Sequence, residues 1–173
     1  MTILSINNLS VGLPDGGDRD LAVEGVTFSV GKGETLCLVG ESGSGKSVVA
    51  QAVMGMLPLQ LPVKSGNIEF MGAPLPAQRD PAYLAMRSVR MAMIFQDAGA
   101  SLDPLQRVGD QLEEIALVHG IDRTTRKKMV ADILDAVHLP DPKKLARAYP
   151  HQLSGGQAQR VVIAAALLLN PEL

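Results

Sequence analysis

The sequence predicts an α/β fold: a mainly parallel core sheet, an antiparallel β portion near the N-terminus, and a helical subdomain. Three observations carry this. The first third consists of short apolar stretches broken by turn residues. One of them, Thr35-Leu36-Cys37-Leu38-Val39, is unbroken by polar residues and runs into a glycine-rich segment and then a helical stretch. From residue 105 the apolar spacing changes to threes and fours, the period of an amphipathic helix.

Leu4, Ile6 and Leu9, then Val23, Val26, Phe28 and Val30, mark two strands separated by the turn Pro14-Asp15-Gly16-Gly17-Asp18. Gly31-Lys32-Gly33 is a second turn, leading into residues 35–39. A short apolar run without alternation suits a strand buried on both faces of a parallel sheet, with Cys37 as a packing residue. Residues 46–57 lack proline until Pro58 and read as a helix. Gly66 to Gly72 reads as a short exposed strand, residues 73–81 as a proline-rich surface loop, and Met91-Ala92-Met93-Ile94-Phe95 as a second buried strand. Leu105, Val108, Leu112 and Ile115 fall on one face of a helix. A second helix carries Met129, Val130, Ile133, Leu134 and Val137 and closes at Pro140, with the basic residues 123–128 as its solvated beginning. A third runs from about Gly155 to Leu169.

Composition narrows the function. Of 173 residues, 46% are hydrophobic, which excludes an intrinsically disordered chain. The longest apolar run, Val161 to Leu169, falls well short of the ~18 residues a membrane span requires, and no secretory leader is expected at Met1. A net charge of −2 gives no pull towards nucleic acid, and 3% aromatics with no Trp leave no base-stacking platform. A single cysteine excludes an internal disulfide framework.

Gly40-Glu41-Ser42-Gly43-Ser44-Gly45-Lys46-Ser47 matches G-x-x-x-x-G-K-[ST] in full. Glycines let the backbone wrap an anion so that successive N–H groups face phosphate oxygens, and the following helix dipole adds to the site. In this pattern Lys46 reaches the β- and γ-phosphates and the Ser47 hydroxyl ligates Mg²⁺. An apolar strand before and a helix after are the context that such a loop requires.

Leu153-Ser154-Gly155-Gly156-Gln157 is the second constellation. As a helix start, it has Ser154 as N-cap and Gln157 completing a capping box. Two glycines in the first turn are costly, and close approach to a phosphate is one reason to keep them; an ordinary cap is the other reading of this segment alone.

Taken together, a phosphate loop and an LSGGQ pentapeptide resemble the ATP-binding subunit of ABC transporters. Ile94-Phe95-Gln96-Asp97 with Ser101-Leu102-Asp103-Pro104, and Tyr149-Pro150-His151-Gln152 before the pentapeptide, resemble the oligopeptide, dipeptide and nickel importer branch. The resemblance covers the whole chain and implies a P-loop NTPase core. It makes Gly40 to Ser47 the Walker A loop around ATP and Mg²⁺. Gln96 becomes the Q-loop glutamine, reaching the metal and the attacking water. Ser154, Gly155, Gly156 and Gln157 become the signature that closes over ATP held by a second protomer, head to tail. It divides the chain into a nucleotide-binding core (1–95), a helical subdomain docking on a transmembrane permease (96–153), and a signature helix returning to the core (154–173). Such subunits lie on the cytoplasmic face of the membrane, peripheral to it, and serve a periplasmic or extracellular solute-binding protein through the permease.

Two departures from the family pattern carry expectations. The family places an adenine-stacking aromatic near the end of the first strand, where Val11-Gly12-Leu13-Pro14 offers only Leu13. The family also continues past the signature helix with a strand ending in Asp-Glu and a switch histidine, whereas this sequence stops at Leu173. The expectation is an incomplete core sheet and a chain that binds ATP without hydrolysing it alone, either a fragment or a module that offers its signature to a partner. Asp97 is a weaker candidate for a metal-side carboxylate than Gln96 is for the Q-loop. His119, His138 and His151 precede the switch position and read as surface or structural residues. A phosphate-loop kinase is disfavoured by LSGGQ, and a GTPase by the lack of an Asn-Lys-x-Asp motif.

Overall fold

The computed structural model describes residues 1–14, 19–78, 80–97 and 99–173, so most of the turn expected at 14–18 lies outside the described residues. The chain forms two compact units, residues 1–91 with 172–173, and residues 92–171.

The first unit is built on an antiparallel sheet. Strands β1 (Thr2–Gly12), β2 (Leu21–Gly31), β3 (Val63–Phe70) and β4 (Ala73–Pro74) lie in the order β2-β1-β3-β4. β1 is central and paired on both edges, with Ile6 opposite Phe28 and Ile68. Its Leu4, Ile6, Leu9 and Val11 are buried against Val49, Ala52 and Val53 of helix α1 (Lys46–Val53). Each such side chain contributes roughly 1.5–3 kcal/mol by leaving water. Helix α2 (Pro81–Arg90) follows, with Asp80 as its N-cap accepting from the Ala82 amide at 2.8 Å. Its Tyr83 is buried, donates to the Val53 carbonyl, and has its hydroxyl pushed up to about 12 by desolvation against the pull of Arg87. At the other end, Arg90 ties Glu172 by an ion pair at 3.1 Å and lies over the Phe70 ring.

The second unit is helical. Helices α3 (Val108–Leu117), α4 (Arg123–Ala136), α5 (Pro142–Arg147) and α6 (Gly155–Leu167) share one core, with Val108, Leu112, Leu134 and Val161 fully enclosed. Gly109 permits the close contact of α3 with α5, since a Cβ there would lie 2.8 Å from the Ala146 carbonyl oxygen. Short 3₁₀ turns at Gly99–Ser101 and Pro150–Gln152 precede α3 and α6.

Three expectations change. Residues 35–39 are not a strand; Val39 is 92% exposed, and Leu36, Leu38 and Cys37 are exposed rather than packed. Residues 91–95 are likewise irregular, with Met91 buried but Ile94 and Phe95 open to solvent. An apolar run records that both faces seek burial, but a parallel strand also needs hydrogen-bonded neighbours. Among the described residues the four strands pair only with one another, all antiparallel. The third change is gain: residues 81–90 and 142–147 are helices where a loop or nothing regular was expected. No helix among the described residues is long and apolar enough to cross a membrane.

Candidate functional site

The glycine-rich loop at 40–47 lies in the first unit and turns directly into α1. Gly43 and Gly45 take φ of +80° and +90°, conformations that L side chains rarely adopt. At Gly45 the packing is equally restrictive: a Cβ would lie 2.7 Å from the Ala22 carbonyl oxygen and 2.8 Å from Val23 Cγ2 of β2. Strand β2 therefore forms the wall against which the loop bends, and only glycine fits at the bend.

Lys46 reaches back across the loop. Its Nζ donates to the carbonyls of Gly40 at 2.8 Å and Glu41 at 2.6 Å, and to the Ser44 hydroxyl at 3.1 Å. The ammonium is thus pinned at the loop mouth by the loop's own backbone. Gly45 is the N-cap of α1; no side chain caps that helix and no acid sits in its first turn. The helix start therefore offers its amides and dipole to an outside anion. Ser47, one residue further, is exposed at the same helix start. A bend that only glycine can make, an ammonium at the mouth and an uncapped helix start fit the phosphate chain of a nucleoside triphosphate.

The other predicted residues lie in the second unit. Gln96 is exposed at a bend. The Asp97 carboxylate next to it accepts from the Ala100 amide at 3.1 Å, and its carbonyl accepts from Ser101 Oγ at 2.9 Å. This 3₁₀ turn packs against α6. Ser154 caps α6: its Oγ accepts from the Gln157 amide at 3.3 Å, while Gln157 Oε1 accepts from the Ser154 amide at 2.9 Å. The reciprocal capping box expected from the sequence is therefore formed. Gly155 and Gly156, however, have nothing within 4 Å of where a Cβ would stand. Among the described residues, no packing contact requires glycine there.

Two of the histidine positions make contacts in the second unit. His151 stacks on Tyr149 with centroids 5.6 Å apart, and the His138 carbonyl accepts from Arg160 at 2.7 Å. Sequence reasoning missed one residue of the loop's surroundings. Arg19 Nη2 donates to the Gly43 carbonyl at 3.3 Å across 24 positions, a contact made by folding that no local motif announces.

The profile of the ABC transporter family matches residues 23–173. The chain belongs to the ABC transporter family. Among its relatives, the dipeptide transport ATP-binding protein DppD of Bacillus subtilis is 42% identical over 99% of this chain and 52% of its own length. DppD of Escherichia coli is 40% identical over the whole of this chain and 53% of its own. The chain thus spans about half the length of the curated relatives it matches. Among solved structures, cbiO1 of Clostridium perfringens, part of the ABC transporter complex cbiONQ, superposes with a TM-score of 0.81 at 26% identity, covering 98% of this chain and 62% of that one. The ATP-binding cassette MJ0796, dimeric and bound to ADP and Pi after hydrolysis, gives 0.81 at 25% identity, over 98% and 71%. These likenesses place the chain in the α/β architecture of ABC ATPase cassettes, with their antiparallel N-terminal sheet and helical portion.

Proposed function

We propose that the chain is the ATP-binding, energy-coupling part of an ABC importer of the peptide type. The observation that carries this is the loop at 40–47: its bend fits only glycine, and its ammonium is held at the mouth. Gly40 to Ser47 would hold the triphosphate, with Lys46 on the β- and γ-phosphates. Ser47 Oγ would ligate Mg²⁺ beside the phosphate oxygens, and Gln96 would complete the metal shell and orient the attacking water. Hydrolysis in such a site is mostly positioning and charge stabilisation. We assign that activity to the complete family domain.

The open helix start at Ser154, Gly155, Gly156 and Gln157 supports a role across a dimer interface. Glycine costs about 1 kcal/mol in a helix, and here no neighbour among the described residues explains it. A second protomer's phosphate seated on the exposed amides would. We accordingly divide the chain by role at residues 95 and 153 and place the permease contact on residues 96–153. The subunit would sit at the cytoplasmic face of the membrane. Its solute would arrive through a periplasmic or extracellular binding protein. The peptide assignment rests on relatives named for dipeptide and oligopeptide transport.

Equilibrium binding of ATP with Mg²⁺ tests the core of this reading. The wild-type chain should bind and Lys46→Ala should not; equal binding by the two would remove the loop from the site.

A further inference from the structure

The triphosphate is only part of a nucleotide, and the nucleoside attached to it must occupy the space next to the loop. A cleft of about 580 Å³ lies there, lined by residues 19–24 and 26 together with Ser44 of the loop itself. This volume is within the ~300–1,000 Å³ of small-molecule sites. Cleft and loop share a wall, because Ala22 and Val23, which line the cleft, are the residues packed against Gly45. None of the lining residues is aromatic. At the end of β1 the Leu13 amide donates a hydrogen bond to the carbonyl of Asp20, a lining residue, at 2.8 Å, and Leu13 brings an aliphatic side chain to that strand end.

We propose that Arg19 holds the nucleoside in this cleft, its guanidinium face lying on the base in place of an aromatic ring, and that purine bases are consequently distinguished only weakly. Arg19 is anchored to the loop at the Gly43 carbonyl, which brings a planar cation to the boundary between phosphate and nucleoside. Guanidinium planes stack on π-systems, and their attraction differs little between one purine and another. The lining also includes the aliphatic residues Leu21, Ala22, Val23 and Val26. The only ionised acceptors in the lining are the carboxylates of Asp20 and Glu24, and neither makes an ion pair among the described residues. They can accept from the exocyclic amino group of adenine or of guanine alike.

This inference rests on the nucleotide reading of the loop, and the two can fail separately. Calorimetric titration of the full chain with Mg²⁺ and ATP, GTP or inorganic tripolyphosphate separates them. Wild type should bind ATP and GTP within about fivefold of each other. Arg19→Ala should weaken both by roughly tenfold while leaving tripolyphosphate unchanged, the size of one stacked cation. Arg19→Tyr should recover the lost ATP affinity. Arg19 is exposed, so these variants should keep the wild-type melting temperature. Unchanged nucleotide affinity in Arg19→Ala would overturn the proposal. So would an equal loss for tripolyphosphate, which would make Arg19 a phosphate contact, or a wild-type preference for ATP above about fiftyfold. Wild type binding neither nucleotide nor tripolyphosphate would instead sink the loop's own assignment.

Discussion

The helix starts of α1 and α6 both carry glycines, and they carry them for opposite reasons. At α1, Gly45 is dictated from inside: φ is +90° and the wall of β2 stands 2.7 Å from any added Cβ. At α6, Gly155 and Gly156 face open space, and the helix is already capped by Ser154 and Gln157. What demands glycine at the first start lies within its own unit. At the second, no described neighbour makes that demand, and we propose that a second protomer does. The contrast separates a glycine that packing requires from one that packing tolerates.

The largest effect should come from charge at the first site. Lys46→Ala removes the ammonium without disturbing the bend, so ATP affinity should fall at least a hundredfold in a binding titration while the melting temperature stays near wild type. The same substitution should leave the capping of α6 untouched. A melting temperature that dropped as far as the affinity would show that Lys46 mainly staples the loop through Gly40 and Glu41.

Gly45→Ala should act on folding as well as binding. It imposes a left-handed conformation on an L residue and drives a methyl into the Ala22 carbonyl, a cost of about 3 kcal/mol. Chemical denaturation should show it directly. The matching change at the other site has the opposite sign: Gly156→Ala should stabilise by about 0.5 kcal/mol, since it relieves a helix glycine that nothing crowds. It should leave ATP binding intact and weaken ATP-driven dimerisation, read by sedimentation. Destabilisation by Gly156→Ala would erase the contrast between the two helix starts.

The loop was legible in the sequence because its requirements are local: eight consecutive residues state both the bend and the charge. The cap of α6 was legible for the same reason. Helices α2 and α5 were announced too, each by an Asp-Pro pair, Asp80-Pro81 and Asp141-Pro142, in which the aspartate caps and the proline opens the helix. Neighbouring prolines, Pro74 and Pro76 before the first pair and Pro140 before the second, mask those signals in the sequence. The runs at 35–39 and 91–95 misled because apolar content specifies a wish for burial but not who provides it. Arg19 was invisible, since its contact with Gly43 exists only after β2 has brought residue 19 to the loop.

The smallest effect sharpens the comparison of helix starts through pH. α4 begins with an ionised cap: Asp122 accepts from the Thr124 and Thr125 amides at 3.0 and 3.1 Å. The hydrogen bond to Thr125 holds its carboxyl below the usual range. A carboxylate whose pKa is lowered on folding stabilises fully above its unfolded pKa, near 3.8, and that contribution is lost as pH falls through the folded value. Ser154 caps α6 with a neutral hydroxyl and has no such dependence. Asp122→Asn keeps a good cap at neutral pH and removes the titration. Its melting temperature should match wild type at pH 7 and fall less steeply between pH 4 and 2. Ser154→Ala should instead lower the melting temperature by the same amount at every pH, in line with a cap worth about 1 kcal/mol. Parallel pH profiles for wild type and Asp122→Asn would mean that the charge on Asp122 adds nothing to its hydrogen bonds, and that the caps of α4 and α6 work alike.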